Sequence, residues 1–197
     1  MLEYKVILGY VAIAIGLISY IPYFRNIFSG ATKPHAFSWF VWSLLTGIAF
    51  AAQLVKEGGA GAWVTGVTAV ACFTIACLAL VKGKRDFTLF DWIAFVGALL
   101  ALVLWQLTHN PTLAVMMVCI TDILSFMPTI RKGYYKPFEE GALTFSLSSL
   151  KFLIAIFALQ SYSLATWFYP AWLVATNGLF VLMLLVRRKQ LGPKVLV

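Results

Sequence analysis

Seven apolar runs separated by short polar segments divide the chain of 197 residues. Each run has the length of a membrane span, because roughly 20 helical residues at about 1.5 Å per residue cross the hydrocarbon core. The pattern therefore predicts an all-α membrane protein with seven transmembrane helices. The predicted spans, numbered 1 to 7, are residues 6–27, 36–55, 62–81, 90–107, 112–130, 142–159 and 164–186.

The polar segments after spans 1 and 5 repeat one pattern. In each, a proline precedes an arginine by three residues, and a Gly-x-x-Lys-Pro turn follows. The Pro and Arg copies, Pro22/Arg25 and Pro128/Arg131, are 106 positions apart. Because internal repeats decide an architecture, we predict two parallel three-helix bundles joined by a linker helix, a 3+1+3 arrangement. The predicted units are residues 1–86, 87–110 and 111–197.

The basic residues are distributed very unevenly between the loops. The net charge is +8, and positive charge in membrane proteins concentrates on the cytoplasmic side. This bias predicts an outside N-terminus, a cytoplasmic C-terminus and no nucleic-acid partner. One set of loops holds only Lys5 and Lys56. The other set holds Arg25, Lys33, Lys82, Lys84, Arg85, Arg131, Lys132, Lys136, Arg187, Arg188, Lys189 and Lys194.

The composition argues against a soluble domain and against a disulfide-stabilised fold. The chain is 62% hydrophobic and 11% charged, far from the balance of a soluble domain. All three cysteines fall inside apolar runs, which is typical of small core residues and not of a disulfide framework. The spans contain no metal-ligand cluster and no nucleophile–base pair. We therefore expect neither a cofactor nor a metal, and no enzymatic activity.

Two charged residues lie deep in predicted spans. Asp122 in span 5 is nine residues from Arg131, roughly 13 Å, and Lys151 in span 6 is seven residues from Thr144, roughly 11 Å. Because a short loop joins the two spans, an ion pair is geometrically allowed. Charges at this depth are costly and usually face a cavity or each other. The pair is either a static salt bridge or part of a transport site.

Other polar and aromatic residues accompany the two charges. Ser125 and Ser148 lie three residues from Asp122 and Lys151 on the same helical faces. Asn177 lies within span 7 and needs hydrogen-bond partners there. Trp42 is either an interfacial residue or a cavity wall.

The repeated pattern resembles the PQ-loop/SWEET superfamily of small membrane transporters over about residues 6–187. The family's Pro-Gln corresponds to Pro22-Tyr23 and Pro128-Thr129 here, so the glutamine is replaced in both copies. Asn177 and the glycine after it resemble the family's Pro-Asn pair. The family's substrate-stacking tryptophan has no clear match. Tyr162 is the nearest aromatic.

The resemblance implies alternating access around a midplane site between the bundles, here for a polar or zwitterionic small-molecule substrate. Asp122 is the candidate for proton coupling. The alternative is a non-transporting membrane receptor or assembly factor in which Asp122 and Lys151 form a structural ion pair. The expected substrate-binding residues are Asp122, Lys151, Asn177, Trp42, Tyr162, Ser125 and Ser148. The expected hinge and gate residues are Pro22, Pro128, Arg25, Arg131, His35 and Glu139.

The expected surroundings are the lipid bilayer of a bacterial inner membrane. Shorter members of the resembling family assemble as dimers, whereas two copies share one chain here. We therefore expect either a monomer or a homodimer.

Overall fold

The computed structural model describes residues 2–30, 34, 36–83 and 89–192, apart from the side chains of residues 2, 91, 94, 128 and 139. Within these residues the fold is all-helical, without β-strands. Each predicted span falls on one helix. The α-helices are α1 Leu2–Phe28, α2 Ala36–Val55, α3 Ala60–Lys82, α4 Leu89–Thr108, α5 Pro111–Tyr135, α6 Ala142–Ala158 and α7 Leu164–Leu191, and a short 3-10 helix covers Pro137–Glu139.

Five helices, α1, α2, α3, α5 and α7, are long and apolar enough to cross a membrane. The apolar stretches of α4 and α6 are shorter. α6 has 17 residues, which extend about 26 Å and nearly match the hydrocarbon thickness. The chain is therefore an integral membrane protein.

The helix ends follow local sequence rules. Asn110 caps α5, because its Oδ1 accepts from the backbone N–H of Thr112 at 3.0 Å and of Leu113 at 3.3 Å. Pro111 occupies the first turn, where its missing N–H has no intrahelical partner to lose. Asn110 and Pro111 therefore define the start of α5. α1 continues helically through Pro22, so a hinge at that position stays a prediction.

Six of the helices form a closed ring. α3 packs between α1 and α2, and α7 packs between α5 and α6. We call α1–α3 the first half and α5–α7 the second half. The halves meet where α1 packs on α6 and where α2 packs on α5. α4 lies outside this ring, against α5 and α2.

The loops lie at two ends of the ring. The basic end carries the C-terminal ends of α1, α5 and α7, with Arg25, Arg131 and Arg187. The turn end carries the α2–α3 and α6–α7 turns. Three hydrogen bonds, the turn-end bonds, join the halves there. They are Lys5 Nζ to the Leu159 carbonyl at 2.7 Å, Gln53 Nε2 to the Thr166 carbonyl at 2.8 Å, and the Gln160 N–H to the Gly58 carbonyl at 3.1 Å.

Glycines allow the helices to approach closely near the turn end. A Cβ added at Gly61 of α3 would overlap the Ala155 carbonyl and lie 2.8 Å from the Leu159 nitrogen, both in the second half. A Cβ at Gly9 of α1 would lie 2.8 Å from Cβ of Ala60. Small residues serve this purpose in membrane helices, where dispersion contacts replace the hydrophobic driving force. The two halves are therefore tightly packed at the turn end.

Candidate functional site

Lys151 and Asp122 lie in the protein interior, not on the lipid-facing surface. Lys151 is 1% exposed and Asp122 is 4% exposed. They are the only buried charged side chains among the described residues. Both charged groups therefore lie in a polar centre inside the ring of six helices.

Lys151 is held by neutral groups of the first half. Its Nζ donates to Thr68 Oγ1 at 2.9 Å and to the Tyr20 hydroxyl at 3.4 Å. The same ammonium lies 4.8 Å from the ring centroids of Tyr20 and Phe152, within the range of cation–π attraction. Gly16 of α1 leaves room for the lysine stem, because a Cβ there would lie 3.2 Å from Lys151 Cδ.

The neighbours of Lys151 form a hydroxyl and thiol cluster. The Thr68 hydroxyl donates to the Val64 carbonyl of its own helix at 2.8 Å, so it meets Lys151 as an acceptor. The Tyr20 hydroxyl lies beside the Cys72 thiol, and both residues are buried. Thr68 and Cys72 share the face of α3 that the 3.6-residue period predicts. That polar face of α3 therefore points at the buried lysine.

Asp122 has a different set of partners. Its Oδ2 accepts from the indole Nε1 of Trp172 on α7 at 2.9 Å. No described residue donates to its Oδ1. Tyr169, one turn before Trp172, is 1% exposed and packs in the same buried cluster as Cys119 and Phe152.

The ion pair that the sequence allows is not formed. Among the described residues, no salt bridge joins Asp122 to Lys151, and each side chain has the separate partners given above. The expectation assumed that helices joined by a short loop are neighbours. Instead, α7 packs between α5 and α6 and separates them. Both charges are thus buried, as their depth in the spans predicts, whereas the ion pair that the sequence allows is absent among the described residues.

The other predicted polar residues make mostly local bonds. The Asn177 amide donates to the Leu173 carbonyl of its own helix at 2.7 Å and is 8% exposed. Ser125 donates to the Thr121 carbonyl at 3.1 Å. Ser148 on α6 is half-buried. These residues line the interior without bonding to either charged group.

Trp42 belongs to an aromatic chain on the basic-end side of the charges. Its ring lies 5.3 Å from the Trp39 centroid and 6.3 Å from the Phe126 centroid, so it bridges the two halves. Phe126 in turn lies 5.2 Å from Phe180. Trp39 is tied to α1, because its Nε1 donates to the Tyr23 hydroxyl at 3.1 Å. Trp42 is therefore a partly buried packing residue that joins the two halves.

Tyr162 lies away from the polar centre. It sits in the α6–α7 turn, is 55% exposed, and donates its hydroxyl to the Ile156 carbonyl at 2.7 Å. Desolvation by partial burial raises the pKa of its phenol. Lys5 Nζ lies 5.3 Å above its ring. Tyr162 thus belongs with the turn-end contacts and not with Asp122 and Lys151.

The predicted gate residues are only partly described. Exposed Pro22 and Arg25 line a crevice of about 250 Å³ with Asn26 and Ser29 at the basic end. Arg131 is exposed at the same end. His35 lies outside the described residues, as do the side chains of Pro128 and Glu139.

The loop after α5 is fastened by basic residues that the sequence reading did not single out. Arg188 donates to the Pro137 and Glu140 carbonyls at 3.0 and 2.7 Å. Arg187 Nε donates to the Tyr134 carbonyl at 3.0 Å. Lys132 forms an ion pair with Glu140 at 2.8 Å. All of these bonds lie within the second half.

Sequence reasoning missed two direct partners of the charges. They are Tyr20, the hydroxyl beside Lys151, and Trp172, the indole beside Asp122, and no motif in the sequence distinguishes either residue. Among the described residues, no group of three or more His, Cys, Asp and Glu side chains is placed to hold a metal. The comparisons with known proteins found no match among family models, curated proteins or solved structures.

Proposed function

We propose that the protein transports a small polar solute by alternating access between its two halves. The observation that carries this proposal is the burial of Lys151 and Asp122 without an ion pair between them. Buried charges without a charged partner are costly, and intramembrane ionisable residues commonly mark substrate or proton pathways. A solute or proton that meets these groups during transport accounts for their presence.

The packing pattern supports two parallel repeats in a 3+1+3 arrangement. In each half the third helix lies between the first two. If the two halves are exchanged, α1 takes the place of α5 and α6 takes the place of α2. The contact of α1 with α6 therefore matches the contact of α5 with α2. With the Pro-x-x-Arg repeat, this correspondence supports the proposed kinship with the PQ-loop/SWEET superfamily. α4 then serves as the linker that lets both halves run in the same direction.

The contacts between the halves support a conformation that is closed at the turn end. The turn-end bonds and the tight packing at Gly61 join the halves there. At the basic end the described polar bonds of Arg187, Arg188 and Trp39 stay within one half. The halves meet there through the aromatic contact of Trp42 with Phe126. We infer that opening toward the basic end separates these rings.

In this mechanism Pro22 and Pro128 act as hinges, because proline weakens the local helical hydrogen bonding. Arg25, Arg131, His35 and Glu139 surround the mouth at the basic end. Asp122 is the group proposed to bind a proton. Since basic loops favour the cytoplasm, the basic end is assigned to the cytoplasm of a bacterial inner membrane. One chain contains both halves, so a monomer suffices for transport.

The non-transporting receptor or assembly factor is less well supported. It required a structural ion pair between Asp122 and Lys151, which the described residues lack. No second function is therefore proposed.

Uptake into proteoliposomes tests the proposal. The purified protein is reconstituted and offered labelled sugars, amino acids, nucleosides and vitamins in separate assays. We expect the wild type to take up at least one solute faster than empty vesicles, and Lys151→Met to abolish that uptake. Lys56→Met is the matched control, because Lys56 is exposed in the α2–α3 turn. A folded wild-type protein that moves none of these solutes would refute transport.

A further inference from the structure

We propose that each half of the protein binds the phosphate headgroup of an anionic phospholipid at the basic end, the first half at Arg25 and the second half at Arg131. This inference goes beyond the proposed transport function and does not depend on it. It follows from two stripes of exposed side chains, one on α1 and one on α5. Each stripe leads to an arginine, an aromatic ring and a second cation.

An apolar stripe on each of the two helices ends at an arginine. The exposed residues repeat at intervals of three or four, which places them on one helical face. Because the chain is an integral membrane protein, exposed apolar side chains along its helices face the acyl chains of the lipid. The stripe on α1 is Tyr10, Ala14, Leu17 and Ile21, followed by Arg25, and the stripe on α5 is Met116, Ile120, Ile123 and Met127, followed by Arg131. Both arginines therefore lie on the lipid-facing side of the ring of helices.

In the first half, Phe28 brings a second cation close to Arg25. The two residues are three positions apart on α1, so their Cβ atoms are about 5–6 Å apart. Lys82 Nζ, at the end of α3, lies 5.0 Å from the centroid of the Phe28 ring, which is 60% exposed. Arg25 also lines the crevice of about 250 Å³ with Asn26, whose amide offers further N–H donors. A phosphate group in this crevice would contact Arg25 and lie on the side of α1 that carries the Phe28 ring.

The second half repeats this arrangement. Tyr134 follows Arg131 by three positions on α5 and is 44% exposed. The Arg187 guanidinium, near the end of α7, lies 4.1 Å from the centroid of the Tyr134 ring, and its Nε donates to the Tyr134 carbonyl at 3.0 Å. The arginine and the aromatic ring lie 106 positions after their counterparts in the first half. In both halves the second cation comes from the third helix. The two sites therefore correspond under the proposed repeat.

The arginine of each site has no anionic partner within the described part of the chain. Neither Arg25 nor Arg131 forms a side-chain hydrogen bond or salt bridge there. Glu140, an acid of the same end, is paired with Lys132 at 2.8 Å. A guanidinium has five N–H donors in a planar fork that matches the oxygens of a phosphate. A phosphodiester would supply the negative charge that each arginine lacks.

The position of the arginines selects a lipid over a soluble phosphate. Each arginine ends a stripe that lies against acyl chains, so a lipid could contact the stripe with its chains and the arginine with its headgroup. Basic pockets at the ends of membrane helices recognise anionic headgroups in this way. A phosphatidylcholine headgroup carries a fixed ammonium, which the two cations of each site would repel. An anionic glycerophospholipid therefore fits better than a zwitterionic one.

Native mass spectrometry of the purified full-length protein tests the proposal by counting bound lipids. The probes are phosphatidylglycerol and phosphatidylcholine with identical acyl chains, and glycerol 3-phosphate, which carries the phosphate without the chains. We expect each protein chain to retain two phosphatidylglycerol molecules. Phosphatidylcholine should bind at least about tenfold more weakly, because each nearby cation favours an anionic lipid by about fivefold. Glycerol 3-phosphate should not be retained, since it makes no contact with the stripes.

Variants assign the two sites. Arg25→Gln and Arg131→Gln should each reduce the number of retained phosphatidylglycerol molecules from two to one, and the double variant should retain none. Lys189→Gln is the matched control, because it removes one exposed positive charge from the same end. Since Lys189 has no described contact with either aromatic ring, this variant should still retain two lipids.

The lipid comparison uses the wild-type protein, so the test holds even if an arginine variant fails to fold. Equal retention of phosphatidylcholine, or retention of glycerol 3-phosphate as strong as that of phosphatidylglycerol, would overturn the lipid sites. Two lipids retained by the folded double variant, or one lost in Lys189→Gln, would also overturn them. A protein that takes up a solute but fails this test would lose only the lipid sites. One that retains two lipids and transports nothing would lose only the transport function.

Discussion

The separation of Asp122 from Lys151 predicts that substitutions of the two residues act independently on stability. The perturbations are Lys151→Met, Asp122→Asn and the double variant. Each single variant removes one charge while approximately preserving side-chain volume. Because the two side chains have no described hydrogen-bond partner in common, their effects on the free energy of unfolding should add.

The expected magnitudes distinguish the two arrangements clearly. An ion pair at about 4 Å is worth about 4 kcal/mol at an effective dielectric constant of about 20. Side chains without contact or shared partners usually add within about 0.5 kcal/mol. We therefore expect a coupling energy below about 0.5 kcal/mol for this pair. Lys151 and Thr68, bonded at 2.9 Å, should instead couple by about 1–2 kcal/mol.

The assay is reversible unfolding of the purified protein in mixed micelles, followed by helical circular dichroism and tryptophan fluorescence. Lys151→Met, Thr68→Val and their double variant form the positive control cycle. Near-zero coupling in that cycle would show that the assay lacks resolution. A coupling above about 1.5 kcal/mol between Asp122 and Lys151, with the control cycle resolved, would restore the ion pair and refute the separation argued here.

Three further predictions concern packing, capping and the closed end. Gly61→Ala should destabilise the protein by about 1–3 kcal/mol, because its Cβ meets backbone of α6. Gly47→Ala is the control, because a Cβ at Gly47 meets open space, and it should be neutral or stabilising. Equal unfolding midpoints for the Gly61→Ala and Gly47→Ala variants would contradict the close packing at Gly61. Asn110→Ala should cost about 0.5–2 kcal/mol through loss of the α5 cap, and an unchanged unfolding midpoint would contradict the capping role. Lys5→Met removes a turn-end bond. In a Cys77→Ala, Cys119→Ala background, which leaves Cys72 as the single thiol, buried Cys72 should therefore react faster with a polar maleimide in a gel-shift assay. Unchanged labelling would show that the bond does not hold that end closed.

The helices and the depth of the charges were accessible from the sequence for physical reasons. Apolar runs fix where a chain enters and leaves the hydrocarbon, and Asn110 with Pro111 fixes a helix start through local bonds. The positions of Asp122 and Lys151 along their helices gave their depth directly. These predictions depend on distance along one helix, which a sequence records.

The contacts between helices were not accessible in the same way. A short loop between spans 5 and 6 is compatible with direct contact and with a third helix inserted between them. The insertion of α7 brings Trp172 to Asp122 and leaves Lys151 with Thr68 and Tyr20. Tyr162 was placed by nearness in sequence to an expected motif, whereas it lies half exposed in a turn. Such outcomes depend on packing between distant segments.

Under the proposed repeat, the room that Gly16 leaves for Lys151 has a consequence for the origin of the chain. Gly16 and Asp122 are 106 positions apart, as are Leu45 and Lys151, so under the proposed repeat each pair occupies equivalent places. Two identical three-helix chains would have to carry the same residue at both places, and an acid at Gly16 would crowd the lysine stem. Duplication followed by fusion removes that constraint. One copy is then free to keep the glycine while the other acquires the acid. The two halves then carry different buried charges, which the halves of a symmetric dimer are unable to do.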